Sequence, residues 1–144
     1  MRLALREALA AARCGEVPVG AVIVDSTTGA LLAADGNRVE AACDPSAHAE
    51  MLVVRTAAAI LGTARLTACD VYVTLEPCAM CAAVLSLARI RRLYFAAYDP
   101  KGGGVEHGAR IFAQPTCHHR PEVYGGILEA PARRLLRAFF AARR

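Results

Sequence analysis

The chain has 144 residues, enough for one domain with a sizeable core, and its 56% apolar content excludes a disordered chain. No unbroken run of about 18 apolar residues is present, which excludes a simple spanning helix. The net charge is +4 and is unevenly placed: five arginines and no acid follow Glu129. Such a basic edge suits a polyanionic partner, or equally a solvated helix end whose arginines offset the helix dipole.

In chain order, the first element is a helix over about 2–14. Leu5, Ala8, Leu9 and Ala12 fall at helical spacing, and Gly15 ends it. Arg6 and Glu7 interrupt its apolar start, so it lacks the stretch of a signal peptide, and a cytoplasmic location is expected. Val17 to Val24 reads as a strand, with Leu31 to Ala34 as its antiparallel partner across a Thr27-Thr28-Gly29 turn. Asp44-Pro45 reads as a helix start, with Asp as N-cap, and the helix runs to about Leu61 before Gly62. Asp70 to Leu75 is a strand. Pro77 opens a helix to about Ala88, and Leu93 to Ala97 is a further strand. Strand, helix, strand in that order predicts parallel strands. Asp99 to Gly104 is a Gly-rich loop, and 110–128 holds a short strand or helix. Leu135, Leu136, Phe139 and Phe140 form the stripe of a terminal helix. By periodicity one of the two phenylalanines belongs to the core. The sum is one α/β domain over 1–144, a mixed sheet of four or five strands with helices on both faces.

The chemistry concentrates in His48-Ala49-Glu50 and Pro77-Cys78-Ala79-Met80-Cys81. Cys78 and Cys81 are three residues apart and share one face of a helix start, where the dipole favours thiolates. Two thiolates with the imidazole of His48 make a zinc donor set. Glu50 lies two residues from His48, so on a helix it points elsewhere and suits the open side of the metal. Three protein ligands leave a fourth position for water, which marks a catalytic zinc. A bound zinc gives hydroxide at neutral pH, and a neighbouring carboxylate shuttles the proton. The alternative is a structural zinc closed by a fourth ligand, for which Cys14, Cys43, Cys69, Cys117, His107, His118 and His119 are available. The six cysteines, with no export signal, favour metal over disulfides.

These residues resemble the cytidine/deoxycytidylate deaminase superfamily, whose zinc sites carry the His-x-Glu and Pro-Cys-x-x-Cys signature. Within it the chain is similar to the bacterial tRNA adenosine deaminases over nearly its whole length. Segments 16–21, 36–38, 44–50, 72–78 and 99–103, with Phe139-Phe140, carry that likeness. The resemblance implies a three-layer α/β/α fold around a five-stranded sheet, one zinc per subunit and a homodimer with active sites near the subunit interface. It implies hydrolytic deamination of the wobble adenosine of an arginine tRNA to inosine, with hydroxide from the zinc attacking C6 and Glu50 moving protons. By position, Asn37 would hydrogen-bond the flipped base, and Pro18, Val19 and Leu75 would wall the pocket. Asp99, Lys101 and the terminal helix with Phe140 would meet the anticodon loop. On the residues alone, Asn37 beside Gly36 is a turn residue, and Lys101 is a loop charge. Two other readings stay open: a deaminase of a free base or nucleoside such as guanine, cytosine or cytidine, and a non-catalytic zinc-stabilised RNA-binding module.

Overall fold

The computed structural model describes residues 1–143. Five strands form one mixed sheet in the order β2-β1-β3-β4-β5: β1 Gly20–Asp25, β2 Leu31–Gly36, β3 Cys69–Leu75, β4 Arg92–Ala97 and β5 Glu122–Tyr124. β1 runs antiparallel to both β2 and β3, whereas β3, β4 and β5 are parallel. The helices are α1 Arg2–Arg13, α2 Val39–Ala42, α3 Ala49–Leu61, α4 Ala79–Leu87 and α5 Glu129–Ala141. α1 and α5 pack on one face, and α3 and α4 on the other. This is the expected α/β/α arrangement. No helix is long and apolar enough to cross a membrane, among the described residues.

The larger core lies between the sheet and the α3/α4 layer, where Val53, Ala57, Leu85, Val71, Val73, Leu93 and Phe95 are buried. The opposite layer is thin. α1 buries only Ala4, Ala8 and Ala11, and Leu9 is 42% exposed, so the stripe read from the sequence is rotated. The cause is the pair of glycines beneath it. A Cβ on Gly20 would stand 2.1 Å from the Ala4 carbonyl oxygen and 2.4 Å from the Ala8 nitrogen; one on Gly36 would stand 2.7 Å from the Glu7 oxygen. The small side chains of Ala4, Ala8 and Ala11 let α1 lie this close to the sheet. Gly20→Ala should therefore push α1 off the sheet and destabilise the fold by about 3 kcal/mol, the upper end for overpacking. Urea denaturation would measure this, and an unchanged midpoint would refute it.

Two other expectations shift. The strand expected from Val17 begins at Gly20, because 17–19 is a lead-in in which the Val19 N–H bonds the Val17 carbonyl at 2.8 Å. α3 begins after His48, not at Asp44. Asp44 uses its carboxylate on the Ser46 N–H (2.8 Å) and hydroxyl (2.7 Å), which closes a local turn instead of capping the helix. The stretch 110–128, expected to hold a short strand or helix, holds a 3₁₀ turn at Ile111–Ala113 and β5. β5 completes a ladder of stacked rings, with Tyr72 to Tyr94 centroids at 4.5 Å and Tyr94 to Tyr124 at 5.0 Å.

Candidate metal centre

Two helices start side by side. His48 is the N-cap residue of α3 and Cys78 that of α4, both with extended backbone. Cys81 follows one turn into α4 and is fully buried. His48 Nδ1 lies 3.7 Å from Cys78 Sγ and 3.5 Å from Cys81 Sγ. Among the described residues these three form the one group of side chains placed to hold a metal ion. None of the other candidate fourth ligands joins them. Cys14 and Cys43 are exposed, and His119 Nε2 donates to the Ile90 carbonyl at 2.7 Å. His107 bonds Glu76 instead, as described below.

The donor set fits zinc. With Zn–S near 2.3 Å and Zn–N near 2.0 Å, tetrahedral neighbours stand about 3.5 Å apart, close to the spacings seen here. One thiol is primed: Cys78, beside Cys81 and His48, is drawn down to about 4. Cys81, beside Cys78 and buried, is pushed up. His48 is raised, chiefly by its contact with Cys78. Zinc would take both sulfurs as thiolates.

Glu50 sits in the first turn of α3, 4% exposed. Among the described residues, its Oε2 is the one buried side-chain oxygen or nitrogen without a hydrogen-bond partner. Burial above all pushes its carboxyl up to about 7. A buried carboxyl oxygen left unpaired is costly unless something else meets it. Here it borders a cavity of about 610 Å³ that also touches His48 and Cys78.

Asn37, Val19 and Leu75 line that cavity. Pro18 does not: it is fully buried, and Val17 and Val19 on either side line the cavity. Asn37 Oδ1 accepts the Ala49 N–H at 2.9 Å and so satisfies one orphan amide at the α3 start. With the oxygen engaged, the amide nitrogen is the group left to donate. Asp99 and Phe140 line the cavity too, and both continue with Lys101, Tyr98 and Arg137 into a neighbouring groove of about 1050 Å³. Asp99 is partly committed, since its Oδ1 accepts the Lys101 and Gly102 N–H groups at 3.1 and 3.0 Å. Phe139 is buried and Phe140 is 48% exposed, the expected division between core and surface.

Sequence reasoning missed Val17, Glu16, Glu40 and Arg143 on the cavity wall. Glu16 is 2% exposed and caps α2, accepting the Glu40 and Ala41 N–H groups at 3.2 and 2.9 Å. Its only sequence signal is an acid beside an apolar strand. Arg143 stacks 3.5 Å over the Phe139 ring and donates to the Gly15 carbonyl at 3.2 Å, joining the chain's end to the lead-in of β1.

Comparison with known proteins agrees with this geometry. The model of the cytidine and deoxycytidylate deaminase zinc-binding region matches residues 1–97. A tRNA-specific adenosine deaminase of Agrobacterium fabrum is 54% identical over 144 residues, all of this chain and 93% of that protein. One of Bacillus subtilis is 42% identical over 97% of this chain and 86% of its own. A solved structure of a tRNA:A34 deaminase, which edits A to I at the wobble position, superposes with a TM-score of 0.91 at 54% identity, covering 94% of this chain and 97% of that one. A guanine deaminase of Nitrosomonas europaea superposes with a TM-score of 0.82 at 26% identity, covering 96% of this chain and 81% of that one.

Proposed function

The chain belongs to the cytidine and deoxycytidylate deaminase family, and from that premise we propose that it hydrolyses the wobble adenosine of a tRNA to inosine. The observation that carries the chemistry is the unpartnered Glu50 oxygen beside a three-residue metal group. His48, Cys78 and Cys81 would hold zinc. When bound, zinc supplies the Lewis acidity that yields hydroxide from water near neutral pH. Glu50 takes the proton released by water and delivers it to N1 of the base as the oxygen adds at C6. It then carries the proton of the new C6 hydroxyl to the departing amine, so ammonia leaves and the C6 carbonyl of inosine remains. A carboxyl held near 7 suits a group that must both accept and donate. The Asn37 amide nitrogen donates to an acceptor on the flipped base, and Val19 and Leu75 pack against its rings.

Support for tRNA over a free base is twofold. Identity is 54% to a tRNA-specific deaminase but 26% to a guanine deaminase. The base cavity also continues into a groove lined by Lys101, Arg137, Arg143 and the exposed Phe140, suited to phosphates and an unstacked base. Arg133 is held by Glu129 at 3.0 Å and faces its own helix, while Arg144 lies outside the described residues. The same proposal takes an arginine tRNA as substrate, a cytoplasmic site of action and a homodimer. Ile60, Leu61 and Leu87 on α3 and α4 are exposed, apolar surface that a second copy would cover.

The test is inosine formation by the zinc-loaded protein on an arginine tRNA with an ACG anticodon, beside free adenosine, guanine and cytidine. Conversion of the tRNA alone is expected. Its affinity should also fall as salt rises, with a log–log slope near −0.7 per phosphate contact. Conversion of guanine or cytidine with the tRNA untouched would replace this reading with the small-molecule one.

A further inference from the structure

Glu76 lies two residues before Cys78, and its side chain is 0% exposed. A buried carboxylate needs partners, and here five donors converge on it. Oε1 accepts the backbone N–H groups of Val105 (3.3 Å), Glu106 (2.8 Å) and His107 (2.9 Å). Oε2 accepts the Asp99 N–H at 3.0 Å and the His107 Nδ1–H at 2.8 Å. Burial pushes this carboxyl up, but the donors outweigh it and hold it below the usual carboxylate range.

Every donor comes from residues 99–107. That loop places Asp99 and Gly102 on the base cavity and Lys101 on the groove. It is seated on the start of α4 with no room between. A Cβ on Gly103 would stand 2.6 Å from the Glu76 carboxyl carbon, and one on Gly104 would stand 2.5 Å from the Ala79 nitrogen. The Gly104 N–H bonds the Pro77 carbonyl at 2.8 Å. His107 closes the outer side, 36% exposed, with its ring edge-on to Tyr98 of the groove at 6.1 Å.

We propose that Glu76, with His107 as its outer clasp, is a positioning residue that fixes the substrate-facing loop 99–107 and so governs capture of the RNA more than the reaction of the captured base. Glu76 borders the base cavity, but both its carboxylate oxygens are taken up by donors of 99–107, so it acts through the loop; the inference rests on the deaminase reading above. Glu76→Gln is a discriminating change. Its amide oxygen can still accept the three N–H groups of 105–107, but its NH₂ then faces the Asp99 N–H. His107 can switch tautomer to accept; a backbone N–H cannot.

The experiment uses the zinc-loaded full chain and an anticodon stem-loop RNA. For Glu76→Gln, KM should rise about tenfold or more, as for a lost charge-assisted hydrogen bond, with kcat within about threefold of wild type. Zinc should stay bound, and amide exchange should quicken within 99–107. His107→Ala should move KM the same way, and His107→Asn, which keeps a donor near the Nδ1 position, should restore it. An unchanged KM in Glu76→Gln, or a fall in kcat with loss of zinc in both Glu76→Gln and His107→Ala, would overturn the proposal. If the wild-type chain converts no RNA, the deaminase reading fails instead, and amide exchange with direct RNA binding still decides the role of Glu76.

Discussion

Glu50→Gln should give a folded, zinc-loaded protein whose turnover is lower by about 10³-fold or more, within the range for loss of a general acid–base group. The change keeps the shape of a side chain that is 4% exposed, so packing is conserved. It removes the one thing the carboxyl supplies, a site that takes and returns a proton. Burial has raised that carboxyl to about 7, and an amide has no comparable equilibrium. The amide leaves a polar atom at the same unpartnered position but removes the charge that burial disfavours, so the variant should be at least as stable as wild type. Single-turnover inosine formation, with metal analysis of the same sample, reads both halves. A variant retaining a tenth of wild-type activity would remove Glu50 from the mechanism.

Cys81→Ser should abolish activity by a different route. The sulfur is buried at the first turn of α4, 3.5 Å from His48 Nδ1. A serine hydroxyl does not ionise there and is a poor zinc donor. Zinc affinity should drop by well over the roughly 100-fold typical of losing an outer-shell partner. The ligands join α3 to α4 across thirty residues, so metal bound only by the folded state adds to its stability. Excess zinc at about 100 times its Kd contributes about 2.7 kcal/mol, or roughly 5–10 °C in a chain of this size. Wild type should lose that margin when a chelator is added. Cys81→Ser should melt at the lower temperature with or without chelator. Equal chelator sensitivity in both proteins would place the metal elsewhere.

The metal group was legible in the sequence because its chemistry is local. A helix start gathers Cys78 and Cys81 by spacing alone, and His48 and Glu50 diverge by spacing alone. The parallel β3-α4-β4 unit was legible for the same reason, as was the left-handed Gly62 that ends α3. What was hidden depends on partners far along the chain. Asp44-Pro45 carries a good helix-start signal, yet Ser46 takes the carboxylate and α3 begins at Ala49. α1 shows a stripe of Leu5, Ala8, Leu9 and Ala12, yet the close seat on Gly20 and Gly36 turns Ala4, Ala8 and Ala11 to the sheet. Glu76 stands inside the recognised segment, but its role appears only when the glycines at 103 and 104 bring the loop onto it. The resemblance implies Pro18 and Val19 on the pocket wall, but the lead-in to β1 turns Val17 and Val19 to the cavity and buries Pro18.

The thin seat of α1 reaches further than stability. α1 ends at Arg13, and only Cys14 to Val19 separate it from β1. That short span carries Glu16, which anchors α2, and Val17 and Val19, which bound the base cavity. Its length is fixed, so the height of α1 above the sheet sets how far the valines lean into the cavity. The alanines and glycines on the reverse side of the sheet are thus joined, through this one span, to two residues of the cavity wall. Bulk added there would narrow or open the aperture from behind, and an assay of substrate choice would register it before any inspection of the catalytic groups did.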